Sequence, residues 1–183
     1  MQEIKSQFRA HFKTVRENIS LQRRIDAEEN CFAFFFANLP ETSRVLSFAS
    51  LKEEINVWPI NEILMSQGRL YLPRASDNNI EIFSVSNISQ LVSAKYALME
   101  PDPAVANRAS LSEIDVIIVP GLSFDANNTR LGYGSGYYDK LIYEAKKQNP
   151  LICCWGTGFI EQLYSGSLPK EATDMALDQL FLF

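Results

Sequence analysis

Histidine is almost missing: His11 is the single one in 183 residues. That argues against a His-based catalytic triad. Cysteine is scarce too, with Cys31, Cys153 and Cys154 forming an odd, unpatterned set without a CxxC pair. A structural zinc site is therefore not expected. Adjacent cysteines rarely meet the demanding geometry of a disulfide, so reduced thiols in a cytoplasmic protein are the natural reading. Long hydrophobic runs are also lacking. The longest apolar-rich stretch, Cys31 to Leu39, falls far short of the ~20 residues that cross a bilayer. The first twenty residues are amphipathic and charged with no apolar core segment, so no signal peptide and no membrane contact are expected. Repeats, low-complexity tracts and long linkers are absent as well, which points to a single domain over residues 1–183.

What is present is ordinary globular composition, 46% apolar and 21% charged. A chain of this size buries roughly 70% of the surface its unfolded form exposes, enough to fold without disulfide or metal. The net charge is −5, unevenly spread. Lys5, Arg9, Lys13, Arg16, Arg23 and Arg24 outnumber Glu3 and Glu17 in the first 24 residues, for a local net of +4 that leaves −9 on the remainder. An acidic body argues against nucleic-acid binding. A local basic patch still suits a small anion.

Ile4, Phe8, Phe12, Val15 and Ile19 recur at steps of three and four and predict a helix over 3–18 with that face buried. Lys5, Arg9, Lys13 and Arg16 follow the same spacing and form a basic stripe beside it, with Lys13 and Arg16 expected at solvent or an edge. Ser20 can cap a second helix that runs to about Asn38, before Pro40. Strands are expected at Arg44–Phe48, Arg69–Pro73, Ile80–Val85, Asp115–Pro120, Leu151–Trp155 and Leu177–Phe183. Helices are expected near Asn56–Gln67, ended by Gly68, and near Gly136–Gln148. DVIIVP at 115–120 is continuously apolar between turn residues, the mark of a central strand buried on both faces. The alternation predicts an α/β three-layer sandwich: a mostly parallel central sheet with helices on both faces. Ligands of such sheets sit beyond the carboxyl ends of the strands.

The richest segment is Val119 to Asp139, VPGLSFDANNTRLGYGSGYYD, which follows that central strand and opens a helix. Gly132, Gly134 and Gly136 alternate, so consecutive N–H groups can turn to one side and cradle a phosphate. The helix behind adds the positive end of its dipole, and Arg130 can add a bidentate contact. Neither a Walker A nor a GxGxxG pattern is present. On spacing alone an anion-binding loop and a plain Gly-rich turn both stand. Asp139 is likewise open between a dipole-compensating acid in a first helical turn and a Mg²⁺ ligand beside phosphates.

The segment resembles the signature of the 5-formyltetrahydrofolate cyclo-ligase family, PG-x-x-FD-x-x-G-x-RLGYG-x-GYYD. Pro120, Gly121, Phe124, Asp125, Arg130–Gly134 and Gly136–Asp139 match it. The likeness continues in order along the chain, at Lys5 and Arg9, at Glu54 before Trp58-Pro59, at Leu72–Arg74, and at Lys95, Tyr96, Glu100 and Pro101. It closes at Gln162, Pro169, Glu171 and Asp174. Departures are Asn128, Thr129, Ser135 and Thr173, together with Asn56-Val57 and Ala97. Asn128 stands near a family glycine, and asparagine can enter the left-handed region.

The resemblance implies a cytoplasmic monomer with a mixed central sheet, acting in one-carbon metabolism. Its activity would be the ATP- and Mg²⁺-dependent conversion of 5-formyltetrahydrofolate to 5,10-methenyltetrahydrofolate. It further implies that Lys5, Arg9 and Arg130–Tyr138 (Leu131, Gly132, Tyr133, Gly134, Ser135, Gly136 and Tyr137 between them) hold ATP, with Arg130 and Tyr133 nearest the chemistry. Glu54, Trp58 and Tyr133–Tyr137 would face the folate, and Asp139 and Asp174 would hold Mg²⁺. Two other readings remain: a catalytically inactive folate- or nucleotide-binding protein, which Ser135 and Thr173 would favour, and a sugar-phosphate isomerase on a similar scaffold.

Overall fold

The computed structural model describes residues 1–76, 79–94 and 98–183. Two helices open the chain, α1 (Gln2–Glu17) and α2 (Leu21–Asn38). The Ser20 hydroxyl accepts from the Arg23 N–H and caps α2. Strand β1 (Val45–Leu46) leads to α3 (Trp58–Ser66), and Gly68 turns the chain out of that helix at φ +67°. There follow β2 (Leu70–Ser76), β3 (Asn79–Val85), β4 (Leu91–Ser93), β5 (Met99–Pro101) and β6 (Asn107–Ala109). The second half comprises β7 (Val116–Val119), β8 (Ser123–Asp125), β9 (Arg130–Leu131), α4 (Tyr137–Gln148), β10 (Cys153–Gly158), β11 (Leu163–Tyr164) and β12 (Gln179–Leu182).

Seven strands form the central sheet in the order β12-β10-β7-β1-β2-β3-β6. Neighbours from β12 to β2 are parallel, while β2-β3 and β3-β6 are antiparallel, so the sheet is mixed and mostly parallel. Side chains alternate across it. Val45, Val116 and Ile118 join α2 and α3 in one core, through Ala27, Cys31, Phe35, Ile60 and Leu64. Leu46, Ile117 and Val119 join α4 in the other, through Leu141, Ile142 and Ala145. All four residues of β7 are buried, as expected of a strand covered on both faces.

Two expectations change. The inward face of α1 is not the apolar stripe. Phe12 and Ile19 are buried, but Ile4 is exposed and Phe8 and Val15 are only half-buried, whereas Lys5 and Arg16 lie inside. The inner stripe runs Lys5, Arg9, Phe12, Arg16, at steps of four, three and four. Its cations go inward because groups distant in sequence receive them, Asp174 and Glu171 for Lys5, the Gly132 carbonyl for Arg9 and Glu54 for Arg16. Arg16 is thus no edge residue, while Lys13 does face solvent. The second change lies between Val119 and the glycines, where a small sheet of order β11-β8-β9 stands in place of a plain loop. Its hairpin is tied by Asp125, whose Oδ1 accepts the Asn127 and Thr129 N–H groups and whose Oδ2 accepts that of Leu168. Asn128 takes the left-handed conformation there, at φ 58°.

Candidate active site

A cavity of about 900 Å³ opens where β7 and the small sheet deliver the chain to α4. Its wall is built from Lys5 and Arg9 of α1, Phe48 and Glu54 from the connection after β1, and Pro73 of β2. Glu100 of β5, the whole run Arg130–Lys140, and Glu171–Met175 complete it. Pro120 and Arg130–Asp139 of the signature therefore face one space, whereas Gly121, Phe124 and Asp125 do not line it. Gly134 and Gly136 have φ of +109° and +69°, which L side chains rarely adopt. Gly136 caps α4, so the free N–H groups and positive dipole end of that helix look toward the cavity. The Arg9 Nε donates to the Gly132 carbonyl at 2.9 Å and fixes the loop to α1.

Position along the strands comes from Gln162. Its buried amide accepts the Phe159 N–H and donates to the Gly121 and Leu122 carbonyls, holding the end of β7 against β10. Arg130, at the end of β9, is buried and reaches back to Asp139 in the first turn of α4, with Nη2 2.9 Å from Oδ2. Its guanidinium also lies over the Tyr138 ring, 5.5 Å from the centroid. Its Nε is buried without a partner. Asp139 Oδ1 accepts the Met175 N–H, so one carboxylate ties α4 to the C-terminal segment.

Lys5 bridges two further carboxylates, 2.5 Å from Asp174 and 3.1 Å from Glu171. Burial pushes the Lys5 ammonium down, but its bonds to Asp174 and Glu171 outweigh this and hold it above the usual lysine value. Burial likewise pushes Asp174 up. The Lys5 bond, the Glu171 N–H and nearby Arg130 overcome that and keep its carboxyl below the usual range. Cations and carboxylates thus alternate along one wall. Among the described residues no three His, Cys, Asp or Glu groups cluster tightly enough to cage a metal by themselves. Mg²⁺ needs only one or two carboxylates when phosphate oxygens and water complete its shell, and Asp139 and Asp174 both line the cavity. The donors fit an ion that arrives with a nucleotide.

Glu54 occupies another part of the wall, 7% exposed. Its Oε2 accepts the Leu51 N–H and its Oε1 accepts the Tyr133 hydroxyl, each at 2.9 Å. Arg16 Nη1 stands 3.9 Å from Oε1. Burial dominates and raises the Glu54 pKa in spite of these partners. Burial and the facing carboxylate raise Tyr133 as well.

The structure brings together Lys5, Arg9, Glu54, Arg130–Asp139 and Asp174. Trp58 is not among the cavity residues; it starts α3 and packs half-buried against the core. Lys95, Tyr96 and Ala97 lie outside the described residues. Glu171 in the wall, and Arg16 behind Glu54 and Tyr133, are residues that composition could not assign. Glu171 appeared only as one letter of a family match. The signal for Arg16 was its place in the 5-9-12-16 stripe.

A model of the 5-formyltetrahydrofolate cyclo-ligase family matches residues 1–182. The 5-formyltetrahydrofolate cyclo-ligase of Escherichia coli K12 is 31% identical over 139 residues, 73% of this chain and 74% of that protein. The mitochondrial 5-formyltetrahydrofolate cyclo-ligase of Arabidopsis thaliana is 31% identical over 156 residues, 74% of this chain but 56% of the longer plant protein. Among solved structures, the NMR structure of Aquifex aeolicus 5,10-methenyltetrahydrofolate synthetase superposes with a TM-score of 0.83 at 28% identity, covering 97% of this chain and 88% of that one. With the glycine loop, its arginine and the carboxylates all on one cavity, and a match along the whole length, the chain belongs to the 5-formyltetrahydrofolate cyclo-ligase family.

Proposed function

We propose that the protein converts 5-formyltetrahydrofolate to 5,10-methenyltetrahydrofolate at the expense of MgATP. The observation that carries this reading is the convergence of Lys5, Arg9 and the 130–138 loop on the same cavity as buried Glu54. The first group suits a triphosphate; Glu54 suits the N–H edge of an aminopyrimidine, which offers two parallel donors to a carboxylate. The γ-phosphoryl group passes to the formyl oxygen and ADP leaves. The amine at position 10 of the folate then attacks the activated formyl carbon, losing its proton, and the original formyl oxygen departs within phosphate. Such chemistry asks for positioning, charge neutralisation and exclusion of water, not for a protein nucleophile. That suits a cavity without a histidine in its wall.

Arg130 and Lys5 are assigned to the phosphates, where they exchange their carboxylate partners for phosphoryl oxygens and stabilise charge as it moves to the leaving groups. Asp139 and Asp174, released by that exchange, would hold Mg²⁺, which when bound neutralises phosphate charge. Tyr133, hydrogen-bonded to Glu54 from the glycine loop, links the two halves of the site and lies nearest the transfer. The protein incubated with 5-formyltetrahydrofolate and MgATP is expected to develop the methenyl absorbance, and to develop none without ATP. Absence of that band, with folate and ATP each bound by calorimetry, would overturn the catalytic reading in favour of a binding protein.

A further inference from the structure

Arg16 is the buried cation that the reaction leaves without a task. Its side chain is 3% exposed, and its Nε and Nη1 have no hydrogen-bond partner. It does not line the cavity, so it is not a direct ligand contact. Its guanidinium sits over the Tyr133 ring, 5.5 Å from the centroid, and 3.9 Å from Glu54 Oε1. Both residues it touches do line the cavity, and Tyr133 donates to that same Glu54 oxygen.

We propose that Arg16 is a positioning residue for the folate half of the site, holding Glu54 ionised and Tyr133 in place from behind. This rests on Glu54 being the folate carboxylate. A buried carboxylate tends to take up a proton, and a protonated Glu54 would present a donor to the pterin N–H edge in place of two acceptors. The charged or titratable groups around Glu54 are Arg16 on α1, Glu53 beside it, Tyr133 on the loop and Tyr138 on α4. Arg16 is the cation of that set. Glu53 opposes it, and the two tyrosines are neutral at physiological pH, both raised above the ordinary tyrosine value. Arginine suits the task because it stays charged when buried and its flat face stacks on an aromatic ring.

The test is calorimetric binding of 5-formyltetrahydrofolate across pH, for the unaltered protein and for Arg16→Met, Arg16→Lys and Glu54→Gln. Removing the cation moves the Glu54 pKa up, so Arg16→Met should bind folate more weakly near neutral pH and regain affinity as pH rises. The loss is small until the titration passes the assay pH and approaches about tenfold for each further unit beyond it. Arg16→Lys should restore the pH profile, and in both variants MgATP binding should change far less than folate binding and without its pH dependence. If Arg16→Met does not fold, Arg16→Gln, which keeps donors but not charge, carries the same comparison. A variant lacking the charge that binds folate with the unaltered affinity and profile overturns the proposal, provided Glu54→Gln weakens folate. If Glu54→Gln has no effect on folate, the assignment of Glu54 itself fails, whatever Arg16 does.

Discussion

Glu54 shows what a buried carboxylate costs the fold. It is buried, and its raised pKa means that the folded state disfavours the ionised form. For an acid shifted upward, the stabilising contribution is complete below the unfolded pKa near 4.5 and is lost as pH rises through the folded value. At neutral pH the ionised group is therefore a burden on stability. Glu54→Gln keeps an oxygen for the Leu51 N–H and removes the charge, so it should melt higher than the unaltered protein at pH 7 to 8. The gap should close as pH falls toward 5. Binding of folate should weaken at the same time, the usual exchange of stability for function. A variant that melts lower across that range would show that the ion pair with Arg16 outweighs burial of the charge.

At the scale of elements, what could be read from sequence was whatever is encoded locally. The Ser20 cap, the Gly68 turn and the unbroken VIIV of β7 each carry their own signal, and each forms where expected. The strands of the small sheet carry none: β9 and β11 are two residues long, and they exist because Asp125 and Gln162 bind backbone across the chain. The inner face of α1 was equally illegible, since the partners of Lys5 lie some 170 residues on. The glycine loop could be recognised as a family signature because its letters are contiguous, although its spacing alone left a plain Gly-rich turn open. Trp58 shows the converse, where a family letter does not predict which way a side chain faces.

That clasp makes α1 depend on the C-terminal segment. The Lys5 contribution to stability is present below its unfolded pKa of 10.5 and lost as pH rises through its higher folded value. The Asp174 contribution is present above 3.8 and lost as pH falls through its lower folded value. Between those limits Lys5→Met leaves Asp174 and Glu171 without their cation, though the Glu171 N–H and Gln2 still donate to them, at a cost of about 1–2 kcal/mol. Amide exchange should accelerate in α1 and around residues 171–175 together, and little in α3. Uniform acceleration across the molecule would mean that the clasp is not a local fastening.

For the molecule as a whole, the charge pattern of the cavity dictates how ligands must enter. In the free protein Lys5 already neutralises Asp174 and Glu171, and Arg130 already neutralises Asp139. Free Mg²⁺ therefore meets carboxylates that are occupied. On the proposed assignment, ATP without a metal would draw the two cations to its phosphates and leave three carboxylates without their cations beside its own negative charge. Together the ligands would exchange the Asp139 and Asp174 pairs for metal contacts and leave Glu171 alone without its cation. The coupling is thermodynamic and must be reciprocal: whatever factor Mg²⁺ adds to ATP affinity, ATP adds to Mg²⁺ affinity. We expect that factor to exceed about tenfold, or ~1.4 kcal/mol. Asp139→Asn should reduce it by removing one of the two carboxylates assigned to the metal, while ATP measured without metal should bind that variant no more weakly, because one source of repulsion is gone. Calorimetry with Mg²⁺ alone, ATP alone and the two combined decides the matter. Tight Mg²⁺ binding in the absence of nucleotide would mean that Lys5 and Arg130 do not compete for the carboxylates, and that the metal site stands complete before the phosphates arrive.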